Sequence, residues 1–245
     1  MTNHKKEGNM LDLKEERKYE QLRELGQELH IPIPEHFITL EVFDKNGKLL
    51  QRHHQRSHSW TRNAYNMLFS QMAGKACPDA TFEAGKLSAK QTNAIIQGGL
   101  YVFGQHPGTI DAGTSTGYRA AAGEDAKGIL VGSGVNAEDF EDYVLQTPIA
   151  EGAGGGQLNH AVSEAHSISY AALTLKDELI RYFNNNGGIS VDVNEVALVG
   201  DLKHPDSSSA ATEFLVSRDH LASTVTVPDT GQLKVTYTIQ LTYPS

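Results

Sequence analysis

Several residue types and patterns are scarce in this chain, and each scarcity excludes a class of protein. One cysteine, Cys77, stands among 245 residues, so the chain can close no internal disulfide and build no thiolate zinc site. No run of about 18 apolar residues occurs, so we expect no membrane span. Lys and Arg number 21 against 30 Asp and Glu, and this net charge of −9 disfavours direct nucleic-acid binding.

The remaining composition is that of a folded protein with many turns. Hydrophobic residues make up 39% of the chain, which is enough for a core, and the 23 glycines indicate frequent turns. The length favours one domain, or one domain with arms, because domains usually hold about 100–200 residues. The charged N-terminus has no apolar signal segment, so we expect the protein to be made in the cytoplasm.

Residues 1–30 are predicted to form a charged helical arm with a narrow apolar stripe. Leu22, Leu25 and Leu29 fall on one side of this helix, and charged residues cover the other sides. Such a stripe is too narrow for a central core helix. It either packs lightly on its own domain or docks on a neighbouring subunit, and both remain open. Pro32 then ends the helix.

Alternating apolar and polar residues predict β-strands through much of the chain. A turn signal at 44–47 predicts a hairpin over 37–51. A short buried strand is predicted at 128–132. The final strand has the strongest pattern, because every second residue from Leu233 to Tyr243 is apolar and one face can therefore be buried.

Two turn-rich stretches, 184–188 and 228–231, lie between alternating segments and predict two further hairpins. The apolar alternation changes phase near Asn194, which predicts a β-bulge there. Residues 176–183 fit a strand or a helix equally well, and the pattern does not decide between them.

A second helix is predicted from Ser59 to Gly74, and its apolar face consists of Trp60, Ala64, Met67, Leu68 and Met72. The stretch 75–127 that follows is rich in small residues and has only brief apolar islands. So long a segment with so little pattern is uncommon in a compact domain, and we interpret it as an extended insertion or arm.

The fold class predicted from these patterns is mainly β. We expect an antiparallel β-sandwich over 31–245, preceded by the helical arm at 1–30 and interrupted by the insertion at 75–127. A jelly-roll and an immunoglobulin-like topology both remain open.

The sequence contains no convincing catalytic, metal or cofactor motif. Gly132-Ser-Gly-Val-Asn-Ala137 matches a dinucleotide fingerprint, but acidic residues follow it where a pyrophosphate needs positive charge. His160 and His166 flank Glu164, yet on a strand they would lie about 20 Å apart, which is too far to share an ion. The histidines at 53–58 are expected to be solvated. We therefore expect no enzyme, no cofactor and no metal.

Four stretches together resemble structural proteins of tailed bacteriophages. They are residues 57–68, 128–149, 181–198, and 214–219 together with the closing 231–239. An asparagine- and glycine-rich turn leads into a strand ending in Val-Asn-Glu-Val-Ala-Leu, a strand ending in Arg-Asp follows, and an alternating strand closes the chain. The resemblance implies a virion protein and identifies no active site.

The function expected from this resemblance is a non-enzymatic structural subunit of the virion, either a capsid decoration or vertex protein or a neck or tail component. Its partners would be copies of itself and other virion proteins, such as the major capsid or tail proteins. The alternative is a receptor- or carbohydrate-binding module of a fibre or spike. The candidate assembly contacts are Leu22, Leu25, Leu29, Ile95, Ile96, Tyr101 and Phe103.

Overall fold

The computed structural model describes residues 13–73, 89–90, 95–96, 117–203 and 211–244, and these form two helices and eleven strands. The helices are α1 (Leu13–Leu29) and α2 (Arg62–Ala73). The strands are β1 (Ile33–Phe43), β2 (Leu49–Arg56), β3 (Ala89–Lys90), β4 (Ile95–Ile96), β5 (Gly128–Gly132), β6 (Asn159–His160), β7 (Ser167–Ala171), β8 (Thr174–Asn184), β9 (Val191–Lys203), β10 (Ala211–Val227) and β11 (Gln232–Thr242).

Two antiparallel sheets face each other, and this confirms the predicted sandwich. The large sheet has the order β2-β1-β11-β8-β6, with β7 also paired to β8. The small sheet has the order β10-β9-β5. Strands β3 and β4 pair only with each other among the described residues. The open choice at 176–183 is settled in favour of a strand, because this segment lies within β8.

The hydrophobic core lies between the two sheets. Alternate residues of β1 and β11 point into it, as their sequence period of two requires. The fully or nearly fully buried residues of the large sheet are Ile38, Leu40, Val42, Leu179, Phe183, Leu233, Val235 and Tyr237, and those of the small sheet include Ile129, Val131, Val193, Val196, Leu198, Val216 and Val225. The predicted buried face of the last strand is confirmed only for its first half. Leu233, Val235 and Tyr237 are buried, whereas Ile239 is partly buried and Tyr243 is exposed.

The small sheet is covered on its outer face as well. Leu145, from the loop after β5, packs there with Val199 and Leu215. Burial on both faces explains why β9 has a continuous apolar run from Val196 to Val199 rather than alternation.

The predicted irregularity near Asn194 is confirmed. Val193 and Val196 both enter the main core although they are three residues apart. The pairing with β10 shifts at the same place, since Glu195 pairs with His220 but Val193 pairs with Val225. The extra residues therefore belong to β10 rather than to β9.

Two of the predicted hairpins are wrong. The turns at 184–188 and 228–231 each carry the chain from one sheet to the other, so β8 does not pair with β9 and β10 does not pair with β11. Buried Asn185 joins both turns, because its side-chain amide donates to the carbonyls of Ile189 and Val227. Alternation predicts strands on both sides of a turn but not their partners, and a sandwich needs such connections between its sheets.

The first hairpin is confirmed and extends further than predicted. The Asp44 carboxylate accepts the Asn46 and Lys48 amides, and Gly47 has the positive φ (77°) that the turn needs. The solvated interpretation of 53–58 is wrong for His53, which is buried and bonded to Ser223 and Gln55. Polar side chains of β2 face inward because they bond the irregular edge of β10.

Helix α2 begins at Arg62 rather than near Ser59. The Ser59 carbonyl instead accepts the Arg218 amide, and Trp60 bridges to Ser217 of β10. Ala64 is buried, and Trp60 and Met67 pack on the core as predicted. Leu68 and Met72, predicted on the same face, are exposed instead. Three parts of the predicted insertion at 75–127 are described. Residues 117–127 pack on the sandwich, and residues 89–90 and 95–96 form the paired strands β3 and β4. The other residues of the insertion lie outside the described ones.

Candidate assembly surface

Helix α1 is attached to the sandwich through its polar side. Arg56, at the end of β2, donates from Nε to Glu16 Oε1 (2.5 Å) and from Nη2 to Glu16 Oε2 (2.9 Å). Its Nη1 donates to Glu35 of β1 at 2.6 Å, and Arg23 of α1 donates to the same Glu35 oxygen at 2.7 Å. These four side chains form one network of alternating charge, which we call the α1 anchor.

The α1 anchor is shielded from water by aromatic rings. The Arg56 guanidinium carbon lies 3.7 Å from the centre of the Tyr19 ring and 4.7 Å from that of Phe37. Both Arg56 and Glu35 are buried. The hydrogen bonds from Arg56 hold the pKa of Glu16 below its usual value. A buried pair of this kind fixes position, because separating the partners leaves an uncompensated charge.

The backbone at the end of α1 holds the helix close to β1. Gly26 is the one buried residue of the helix, and a Cβ there would lie 2.8 Å from both the Ile31 carbonyl oxygen and Ile33 Cγ1. His30 adopts φ 55°, so the Ile31 amide can donate back to the Gly26 carbonyl at 2.8 Å. This left-handed cap ends the helix before Pro32 and turns the chain into β1.

The predicted leucine stripe faces away from the sandwich. Leu22, Leu25 and Leu29 are 42, 48 and 54% exposed. They share one side of the helix because residues three and seven apart are neighbours on an α-helix. The polar residues therefore make the attachment, and the leucines form an apolar outer face on a helix that the α1 anchor holds in place.

A second group of exposed apolar residues lies at the same end of the large sheet. Ile33 pairs with Thr242, and Thr242 pairs with Thr174, so the starts of β1 and β8 and the end of β11 are together. Gln27 of α1 donates to the Tyr243 carbonyl. The exposed side chains of this end are Ile31, Ile168, Tyr170, Leu173 and Tyr243. An apolar set of this kind at a sheet end is typical of protein contact.

The other predicted contacts do not join this surface in the described structure. Ile95 and Ile96 form β4, which pairs with β3. Tyr101 and Phe103 lie outside the described residues. The structure thus brings Leu22, Leu25 and Leu29 together and does not relate them to the other four.

Sequence reasoning missed the α1 anchor. Arg56, which neighbours histidines expected to be solvated, is buried instead, and the pattern around Glu35 predicts no partner for it. A signal was present: Glu35 and Phe37 stand on the side of β1 that faces away from the core, and Phe37 pairs with Arg56. The outer face of these adjacent strands thus carries a carboxylate, an aromatic ring and a guanidinium. Such a face favours packing against a helix that carries charged residues of its own.

The glycine motif at 132–137 has a structural role. The Glu195 carboxylate, fully buried, accepts the amides of Gly134, Gln146 and Thr147. It also accepts Arg218 Nε at 2.7 Å. A Cβ at Gly132 or Gly134 would collide with this carboxylate. The two glycines therefore make room for a buried acid.

No protein-family model matches the chain, and no curated protein or solved structure matches it. Among the described residues, neither helix has the length and apolar character needed to cross a membrane.

Proposed function

We propose that the chain is a non-enzymatic structural subunit of a tailed-phage virion, a capsid decoration or vertex protein or a neck or tail component. It would assemble with copies of itself and with other virion proteins through the outer face of α1. The observation that carries this proposal is the orientation of α1. A helix that merely covered its own sheet would turn its leucines inward, whereas this one is anchored by charge and presents Leu22, Leu25 and Leu29 outward.

The apolar contact that the leucines offer to a partner and the ion pairs that hold α1 on its own sandwich have different physical effects. Apolar area gains about 25 cal/mol per Å² when it leaves water, so an exposed stripe favours any partner with a matching groove. Buried ion pairs add little net stability but define one geometry. A subunit built in this way offers its contact face in a fixed orientation, which repeated assembly requires.

The test of virion membership is to purify particles of the phage whose genome encodes the chain and to quantify the chain by mass spectrometry. A structural subunit is expected in a copy number that is a fixed ratio to the major capsid or tail protein. A chain abundant in infected cells but missing from purified particles would refute the proposal.

A second candidate function, carbohydrate binding, is favoured by one cleft. It has a volume of about 560 Å³ and combines rings with amide and charged groups, a mixture that suits a hydroxyl-rich ligand. Its lining includes Phe43, Asp44, Tyr182, Asn184, Asn186, Gln232 and Lys234. A glycan array tests this: specific binding that Asn186→Ala removes would support it, and uniform absence of binding would reject it.

A further inference from the structure

One buried carboxylate differs from the other buried carboxylates of the described structure. Glu35 pairs with Arg56, Glu195 with Arg218, and Asp201 with Lys127. Asp219 of β10 is 0% exposed, yet no arginine or lysine of the described residues pairs with it. Its oxygens accept hydrogen bonds from the Ser57 hydroxyl (2.7 Å) and the His58 backbone amide (3.2 Å).

Those two neutral donors leave acceptor capacity on both oxygens, because each carboxylate oxygen has two lone pairs. They also leave the negative charge uncompensated, and a buried charge is costly without a positive partner. The position of Asp219 therefore calls for a cation.

Two further metal-ligating side chains lie beside Asp219. His58, Glu138 and Asp219 each offer one ligand atom, and these three atoms lie within 4.8 Å of one another. They come from different parts of the fold: the connection between β2 and α2, the loop after β5, and β10. The Glu138 Oε1 atom accepts the His220 amide at 2.9 Å, which holds this side chain over the cluster.

We propose that His58, Glu138 and Asp219 bind a divalent metal ion of the zinc type. One imidazole nitrogen with two carboxylates suits Zn²⁺ and similar transition-metal ions better than Ca²⁺ or Mg²⁺, which prefer oxygen ligands alone. A tetrahedral Zn²⁺ with ligands at about 2.1 Å sets them roughly 3.4 Å apart. Closing the cluster thus needs movements of about 1 Å, which exposed His58 and half-buried Glu138 can make while Asp219 stays fixed.

The ion would join the two connections to β10 and supply the positive charge that Asp219 lacks. Glu15 of α1 has its Oε1 atom 3.8 Å from His58 Nε2 but is not one of the three clustered ligands. The sequence gives no sign of this site, because the three ligands are far apart along the chain. His166, which the sequence places near His160 and Glu164, is not part of this cluster and instead forms a hydrogen bond with Asp177 at 2.7 Å.

The test is calorimetric titration of the full chain, treated with chelator and dialysed, with ZnCl₂. We expect one saturable site per chain and a higher melting temperature with Zn²⁺. His58→Ala and Glu138→Gln should each weaken the affinity about tenfold or more and remove the rise in melting temperature, because each deletes one ligand. The matched control is His166→Ala, which removes a histidine outside the cluster and should leave both readouts unchanged.

Co²⁺ gives a second readout that does not depend on stability. Bound at this site it should show a visible absorption band that is lost in His58→Ala and in Asp219→Asn, with circular dichroism confirming that each variant is folded. The proposal is overturned if wild-type protein shows no saturable binding. It is also overturned if the binding survives in both His58→Ala and Glu138→Gln, since other histidines would then hold the ion.

Discussion

Helix α1 and strand β11 are both amphipathic, but they use their two sides in opposite ways. The apolar residues Leu233, Val235 and Tyr237 of β11 face the core, and its polar residues face outward. In α1 the polar residues Glu16 and Arg23 face the protein and the leucines face outward. An apolar stripe therefore identifies a surface to be buried, but it does not say whether its own chain or a partner buries that surface.

The largest expected loss of stability follows a substitution in β11. Leu233→Ala should lower the free energy of unfolding by about 3–5 kcal/mol, because it removes a fully buried side chain and leaves a cavity. Leu25→Ala, the same substitution on α1, should change it by no more than about 0.5 kcal/mol. Denaturant unfolding of both variants, at a protein concentration where the chain is monomeric, measures the contrast. Equal losses would mean that Leu25 is buried in its own subunit.

A smaller effect is expected where α1 meets the sandwich. Arg56→Met should cost about 3 kcal/mol, because it leaves Glu35 buried with only the partly exposed Arg23 as partner. The control is Arg52→Met, which removes an exposed pair with Glu41 and should cost less than about 1 kcal/mol. Protease cleavage within α1 should accelerate only in Arg56→Met. Equal protection in both variants would show that the α1 anchor does not hold the helix.

The third prediction concerns His36, which follows Glu35 in β1 but faces the core, against Trp60. Burial lowers the pKa of His36 to about 4 from an ordinary value near 6.5. The unfolded chain therefore binds more protons between these values, and the His36 contribution to stability is present above about pH 6.5 and is lost as the pH falls towards 4.

The expected loss of unfolding free energy is about 3 kcal/mol once the pH has fallen below the folded-state pKa of His36. His36→Gln should flatten the dependence of unfolding free energy on pH in this window. The same substitution at His30, which is exposed, is the matched control. If the two variants have the same pH dependence, the burial of His36 does not govern it.

The fold was largely predictable because its strands carry the period of two that a half-buried strand requires. The β1–β2 turn, the final strand and the irregularity near Asn194 all follow from local patterns. The partners of β8 and β10 do not, because the turns at 184–188 and 228–231 carry the same residues whether they join paired strands or two sheets. The leucine stripe was visible in sequence. The outward direction of the stripe was not predictable, because it depends on the attachment of α1 to Glu35 and Arg56. These two residues come together only when β1 and β2 pair in the folded sheet.

The direct measurement of the central claim is sedimentation velocity on the purified chain with the outer face of α1 altered. Leu22→Gln, Leu25→Gln and Leu29→Gln together keep helix propensity while removing the apolar face. The control carries Glu20→Gln, Glu24→Gln and Glu28→Gln on exposed positions of the same helix. Substitution is preferable to deleting residues 1–30, because a deletion would also remove Glu16, the partner of buried Arg56.

We expect wild-type and control proteins to form the same concentration-dependent oligomer, whereas the leucine variant should sediment as a folded monomer. An oligomer of unchanged size and affinity in the leucine variant would show that α1 is not an assembly element.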